Sequence, residues 1–176
     1  MKLKSKGAVF MLQQYKKIQV AIDGSQESEL AFKKAVAVAL RNQAELLLVH
    51  VIDTRAFQNV SSFDSAMVEE VSETAKNSMA SYIQTAKDAG LQHVNYYIEY
   101  GSPKTILGRD FPKRENVDLI MIGATGLNAV ERLLLGSVTE FVTRNATCDI
   151  LVVRTDLDNQ PVNFKQLAKD KQTKNN

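Results

Sequence analysis

Absences narrow this chain before any motif does. Cys148 is its only cysteine in 176 residues, so no intrachain disulfide forms and metal sites of the Cys-x-x-Cys kind are excluded. A reducing cytoplasm is the expected setting. No apolar run approaches the ~20 residues of a membrane span. The longest run near the N-terminus, Gly7 to Leu12, is too short for a signal-peptide core, so no membrane partner is expected. Charge of one sign is scarce as well. The 22 Lys and Arg against 20 Asp and Glu leave a net charge of +2, with no electrostatic footprint for nucleic acid. The G-x-x-x-x-G-K-[ST] phosphate loop is missing, and with it a lysine that would reach terminal phosphates. His50 and His93 are the two histidines. Neither stands near a Ser or Cys nucleophile motif, and both read as structural or exposed rather than catalytic.

The length suits one domain with a buried core and short extensions. We expect an N-terminal extension over 1–14, a domain over 15–155 and a polar tail over 156–176. Lys17 to Ile22 alternates and then turns apolar, which predicts a first strand ending at Asp23. Gly24 provides a turn, and Ser25, Glu27 and Ser28 supply the cap and first turn of a helix from about Gln26 to Arg41. Ala44 to Ile52 is a continuous apolar run of strand length and should be central. A loop over Asp53 to Asp64 leads to a long helix from about Ser65 to Ala89, closed by Gly90 at C′. Its stripe, Met67 to Ala86 at spacings of three and four, is core packing rather than a cofactor box. Val94 to Glu99 alternates as a third strand, with Val94, Tyr96 and Ile98 on one face. Ser102 and Pro103 then open a helix that Pro112 limits. Val117 to Ile122, Ser137 to Asn145 and Ile150 to Arg154 predict a fourth strand, a last helix and a fifth strand.

Strands alternating with helices predict an α/β fold: a parallel sheet covered on both faces, a three-layer sandwich. In such a sheet a ligand sits outside the carboxyl ends of the strands at the switch point. Asp23 and Gly123 stand at the carboxyl ends of the first and fourth strands. The stretch around the second of them reads VDLIMIGATGLNAVERLLLGSVT, Val117 to Thr139. An apolar strand stops at Gly123, Gly126 follows, and nine residues later Gly136 and Ser137 open a helix. A glycine at a strand's carboxyl end lets backbone approach a ligand. The free N–H groups and positive dipole end of a helix N-terminus suit an anion such as phosphate, with the hydroxyls of Ser137 and Thr139 as further donors. Each of these residues alone is also an ordinary turn glycine or N-cap serine.

Taken together, the spacing G-x-x-G, nine residues, G-S resembles the ATP-binding signature of the universal stress protein family. Gly123, Gly126, Gly136 and Ser137 match all four motif positions, and the likeness in the order of elements runs over roughly residues 15 to 154. The resemblance implies a five-stranded parallel sheet of order 3-2-1-4-5, the Rossmann-like fold of the adenine nucleotide alpha hydrolases, with its switch point between strands one and four, where Asp23 and Gly123 should meet. It implies an adenine nucleotide, ATP or alternatively AMP or ADP, as ligand. It places Ala21, Ile22 and Asp23 at the adenosine and phosphate edge, Val51 at the adenine by its main chain, and Ile122 and Gly123 beside ribose and phosphates. Gly126, Gly136, Ser137, Val138 and Thr139 then line the phosphate chain. Asp23 reads equally as a turn aspartate and as a ligand for Mg²⁺ held through the nucleotide. Arg132 reads equally as a phosphate contact and as a solvated cation. The resemblance also implies a regulatory stress-response homodimer, paired through the apolar edge of strand five. One departure is Cys148-Asp149, where the family usually opens its last strand with proline. The alternative function is a slow nucleotide hydrolase or nucleotide-transferring enzyme on the same scaffold. The S-G-G-x-D-S, H-I-G-H and K-M-S-K-S motifs of such enzymes are absent, and no catalytic residue is assigned.

Overall fold

The computed structural model describes residues 14–57, 65–125, 135–160 and 162. Five parallel strands form one sheet in the order β3-β2-β1-β4-β5: β1 Lys17–Ala21, β2 Glu45–Ile52, β3 Val94–Tyr100, β4 Leu119–Gly123 and β5 Asp149–Val153. The sheet order is the one expected. Helices α1 Gln26–Asn42 and α2 Ser65–Asp88 accompany β1 to β3. Two short helices, α3 Pro103–Thr105 and α4 Phe111–Glu115, and α5 Ser137–Asn145 accompany β3 to β5.

Two apolar layers result. On one face Ile18, Val20, Leu46 and Leu48 meet Ala31, Phe32, Ala35 and Ala39 of α1 and Met79 of α2. Phe32 lies edge-on to Tyr82, with ring centroids 4.8 Å apart. On the other face Leu47, Val49 and Ile120 meet Leu107, Phe111 and Val142. Truncating Phe32 or Phe111 to alanine would cost about 3–5 kcal/mol at such buried positions. The α2 stripe is core from Ala75 through Met79 to Ala86, while the side chains of Met67 and Val68 lie outside the described residues. Tyr96 falls on the expected face of β3 yet stays 40% exposed, because β3 is an edge strand and is covered only in part. Tyr97, on the opposite face, packs on Phe111.

Helix ends follow local chemistry. Ser25 caps α1, its hydroxyl accepting the Ser28 N–H at 3.0 Å. After α2, Gly90 adopts φ +96, and the Gly90 and Leu91 N–H groups return to Lys87 and Ala86. The end of α1 is made by Gln43 at φ 53, a left-handed residue that is not glycine.

Pro112 does not limit the third helical segment as expected. Between α3 and α4 the chain widens into a π-helical turn, Ile106–Asp110, and runs through Pro112 until Asn116 turns left-handed. A proline inside a helix lacks an N–H and crowds the carbonyl four residues back; the wider turn accommodates both. Its five-residue hydrogen bonding pairs the Phe111 N–H with the Ile106 carbonyl. The next carbonyl, Leu107, would then face the nitrogen of Pro112, which has no hydrogen. The fully buried Gln19 of β1 supplies the donor instead, its Nε2 lying 3.0 Å from that carbonyl. After β5 the described tail residues fold back on α1, where Lys34 donates to Thr155 and Asn159.

Candidate functional site

The pairing of β1 with β4 runs from Ile18↔Leu119 to Val20↔Met121. Continued for two residues, that register sets Ile22 level with Gly123, so the two chain segments singled out by sequence are neighbours at the switch point. Asp23 is exposed there, just past β1. Its Oδ1 accepts the Ser25 N–H at 2.9 Å and the Ser25 hydroxyl. Gly24 takes φ +82 with nothing within 4 Å of a built Cβ, so it is the conformation, not space, that calls for glycine. One carboxylate oxygen of Asp23 thus serves the turn that starts α1.

Gly123 has a close protein neighbour of its own. A Cβ there would stand 3.0 Å from the carbonyl carbon of Glu27, in the first turn of α1. The glycine lets α1 close onto the end of β4, a role for Glu27 that no sequence signal announced. The chain then makes a compact knot. Ala124 donates to the Val153 carbonyl, and Gly136 donates to the Ala124 carbonyl at 2.9 Å. Ala124 and Gly136 thus meet directly; Gly126 and Arg132 lie outside the described residues.

Gly136, rather than Ser137, is the N-cap of α5, and Ser137 is the first helical residue. With φ −60 and ψ 148, Gly136 occupies ordinary extended backbone, so no left-handed strain attaches to it. The first intrahelical bond runs from Glu140 to the Gly136 carbonyl at 2.8 Å. The N–H groups of Ser137, Val138 and Thr139 therefore have no intrahelical acceptor, and they stand at the positive end of the helix dipole. Thr139 offers its main chain alone. Its buried hydroxyl donates to the Gly123 carbonyl at 2.8 Å, which ties α5 to β4 and replaces the phosphate donation expected of that side chain.

Ala21 and Ile122 belong to the apolar layer on the α5 side, with Val51 and Val138 half-buried against it. The side chain of Ile22 points into the opposite layer, so on this side Ile22 presents only main chain. Beyond β2, Asp53 is held by Arg55 through Nε at 2.9 Å and Nη2 at 2.6 Å. That hydrogen-bonded guanidinium holds the Asp53 carboxyl below its ordinary range. Among the described residues no three His, Cys, Asp or Glu side chains converge as around a metal. No described helix is long and apolar enough to cross a membrane.

The strand order and the start of α5 define a doubly wound α/β domain with a helix N-terminus, its first N–H groups free of intrahelical acceptors, at the switch point. The profile of the universal stress protein family matches residues 14–154. A putative universal stress protein of Staphylococcus aureus (strain USA300) is 45% identical over 142 residues, 81% of this chain and 86% of the relative. The chain belongs to the universal stress protein family. Among solved structures, hypothetical protein MJ0577 superposes with a TM-score of 0.72 at 33% identity, over 80% of this chain and 96% of that one. Two more distant universal stress proteins share the fold. One, in complex with cAMP, has a TM-score of 0.57 at 24% identity over 80% of this chain and 98% of its own. The other, from Archaeoglobus fulgidus in complex with dAMP, has 0.56 at 20% over 80% and 98%.

Proposed function

We propose that this chain binds an adenine nucleotide, ATP or its AMP or ADP forms, at the carboxyl ends of β1 and β4, and that occupancy switches a regulatory stress-response homodimer. The observation that carries the reading is the start of α5: three main-chain donors held beside Gly123 by the Gly136–Ala124 and Thr139–Gly123 hydrogen bonds. Such an end suits a phosphate chain. Gly123, Gly126, Gly136 and the N–H groups of Ser137, Val138 and Thr139 would line the phosphates. The half-buried Val51 and Val138, with Ala21, Ile22 and Ile122, would line the nucleoside. The cAMP and dAMP complexes of two relatives support a nucleotide of this kind.

Asp23 would reach Mg²⁺ through the phosphates, as a lone carboxylate on an ion that keeps most of its waters. Its Oδ1 is shared with Ser25. The test is direct. Purified protein is denatured and the released small molecules are identified, then refolded apo-protein is titrated with ATP. Bound or titratable adenine nucleotide is the expected result; a chain that neither carries nor binds one overturns the reading.

The second reading, a slow nucleotide hydrolase, rests on Asp23 at the phosphate edge. No lysine or water-positioning base stands beside it among the described site residues, so turnover is expected below the ~1–100 s⁻¹ of kinases. Single-turnover hydrolysis within seconds that is lost in Asp23→Ala would favour the enzyme.

A further inference from the structure

The ladder between β1 and β2 breaks at one rung. Hydrogen bonds Glu45 N–H to Lys16 carbonyl, 2.8 Å, and Ile22 N–H to Val49 carbonyl, 2.9 Å, show that the odd-numbered residues of β2 face β1. The bonds Leu46 N–H to His93 carbonyl and Gly101 N–H to Ile52 carbonyl show that the even-numbered ones face β3. Val51 therefore turns its N–H and carbonyl toward β1, at the level where β1 has just ended. In a parallel ladder a residue that donates to position i − 1 of its neighbour accepts from position i + 1. The Ile22 carbonyl should therefore take the Val51 N–H. It takes His50 instead, with Nδ1 at 2.8 Å. A carbonyl cannot donate, so the hydrogen is on Nδ1. Among the described residues the Val51 N–H has no backbone acceptor.

We infer that His50 is a positioning residue for the base edge of the site: its ring N–H draws the Ile22 carbonyl toward the imidazole and off the line of the next rung, which leaves the Val51 N–H out of the sheet and open to a ligand. This rests on the adenine-nucleotide reading. Adenine presents an acceptor, N1, beside a donor, its 6-amino group, complementary to one residue's N–H and carbonyl. Guanine inverts that pattern with N1–H beside O6. The histidine thus makes a strand end selective for adenine without touching the base. The sequence held no sign of this, since His50 read as a structural histidine beside an apolar strand end.

The experiment compares ATP with 1-deaza-ATP, in which N1 is replaced by C–H, by calorimetric titration of the full chain. Wild type should bind 1-deaza-ATP about tenfold more weakly, the worth of one hydrogen bond. His50→Phe should lower ATP affinity and bring the ratio near one. His50→Asn, whose Nδ2 stands where Nδ1 stood, should keep the ratio. Wild type that binds both nucleotides equally, or a His50→Phe that keeps the tenfold ratio, overturns the role of His50 while the nucleotide reading stands. Failure to bind either nucleotide overturns the nucleotide reading, and the rung is then decided without ligand. Amide exchange followed by NMR should show the Val51 amide unprotected in the ligand-free wild type and protected in His50→Phe. A protected Val51 amide in the wild type overturns the inference, and that measurement needs no variant to fold.

Discussion

Gln19 and Leu107, 88 residues apart, are joined by a 3.0 Å hydrogen bond from side-chain amide to main-chain carbonyl inside the sheet's second apolar layer. The bond supplies what Pro112 cannot. Gln19→Leu should leave the Leu107 carbonyl buried and unpaired, and since it also removes the buried, unpartnered Gln19 Oε1, the net loss of stability should be about 1 kcal/mol. Urea unfolding checks this, and an unchanged midpoint with unchanged slope would contradict it.

Gly123→Ala tests whether the glycine serves helix packing. The new Cβ would press on the Glu27 backbone at 3.0 Å, and backbone cannot rotate away as a side-chain tip can. We expect a loss of about 1–3 kcal/mol, typical of overpacking, in the absence of any nucleotide. A variant as stable as wild type that only loses nucleotide affinity would assign Gly123 to ligand contact alone.

Cys148 should be a slow thiol. Burial raises its pKa above the ordinary value, and the negative charges of Asp118 and Asp149 raise it further. Labelling by a thiol-specific disulfide reagent near pH 8 should be slower in native protein than in urea. The sign for stability follows: the folded state holds the proton more tightly, so the contribution is complete below about pH 9 and is lost as pH rises through the folded pKa. Unfolding midpoints should fall more from pH 8 to about pH 10 in wild type than in Cys148→Ser.

The proposed homodimer would join along β5, which among the described residues pairs only with β4 and leaves Leu151 42% exposed. An apolar edge of that kind calls for a partner. Leu151→Asp should shift the chain to monomer in analytical ultracentrifugation. Wild type sedimenting as a monomer at micromolar concentration, with and without ATP, would exclude the dimer.

The sequence by itself determined the fold. Apolar runs of strand length alternating with 3.6-periodic stripes predict a parallel sheet covered on both faces and leave few strand orders, and the bounds of α5 were legible to the residue at Ser137 and Asn145. The strand order that sets the ends of the first and fourth strands side by side was implied by the family resemblance of the glycine spacing, and the sheet has that order. Tertiary structure alone decided what the individual atoms there do. Gly123 yields space to Glu27, Thr139 gives its hydroxyl to the Gly123 carbonyl, and His50 donates to the Ile22 carbonyl. Each of these partners is between 16 and 96 residues away in sequence. Local pattern fixes which face a side chain takes. Which buried donor reaches which carbonyl is settled only when the layers close and buried main-chain groups are cut off from water.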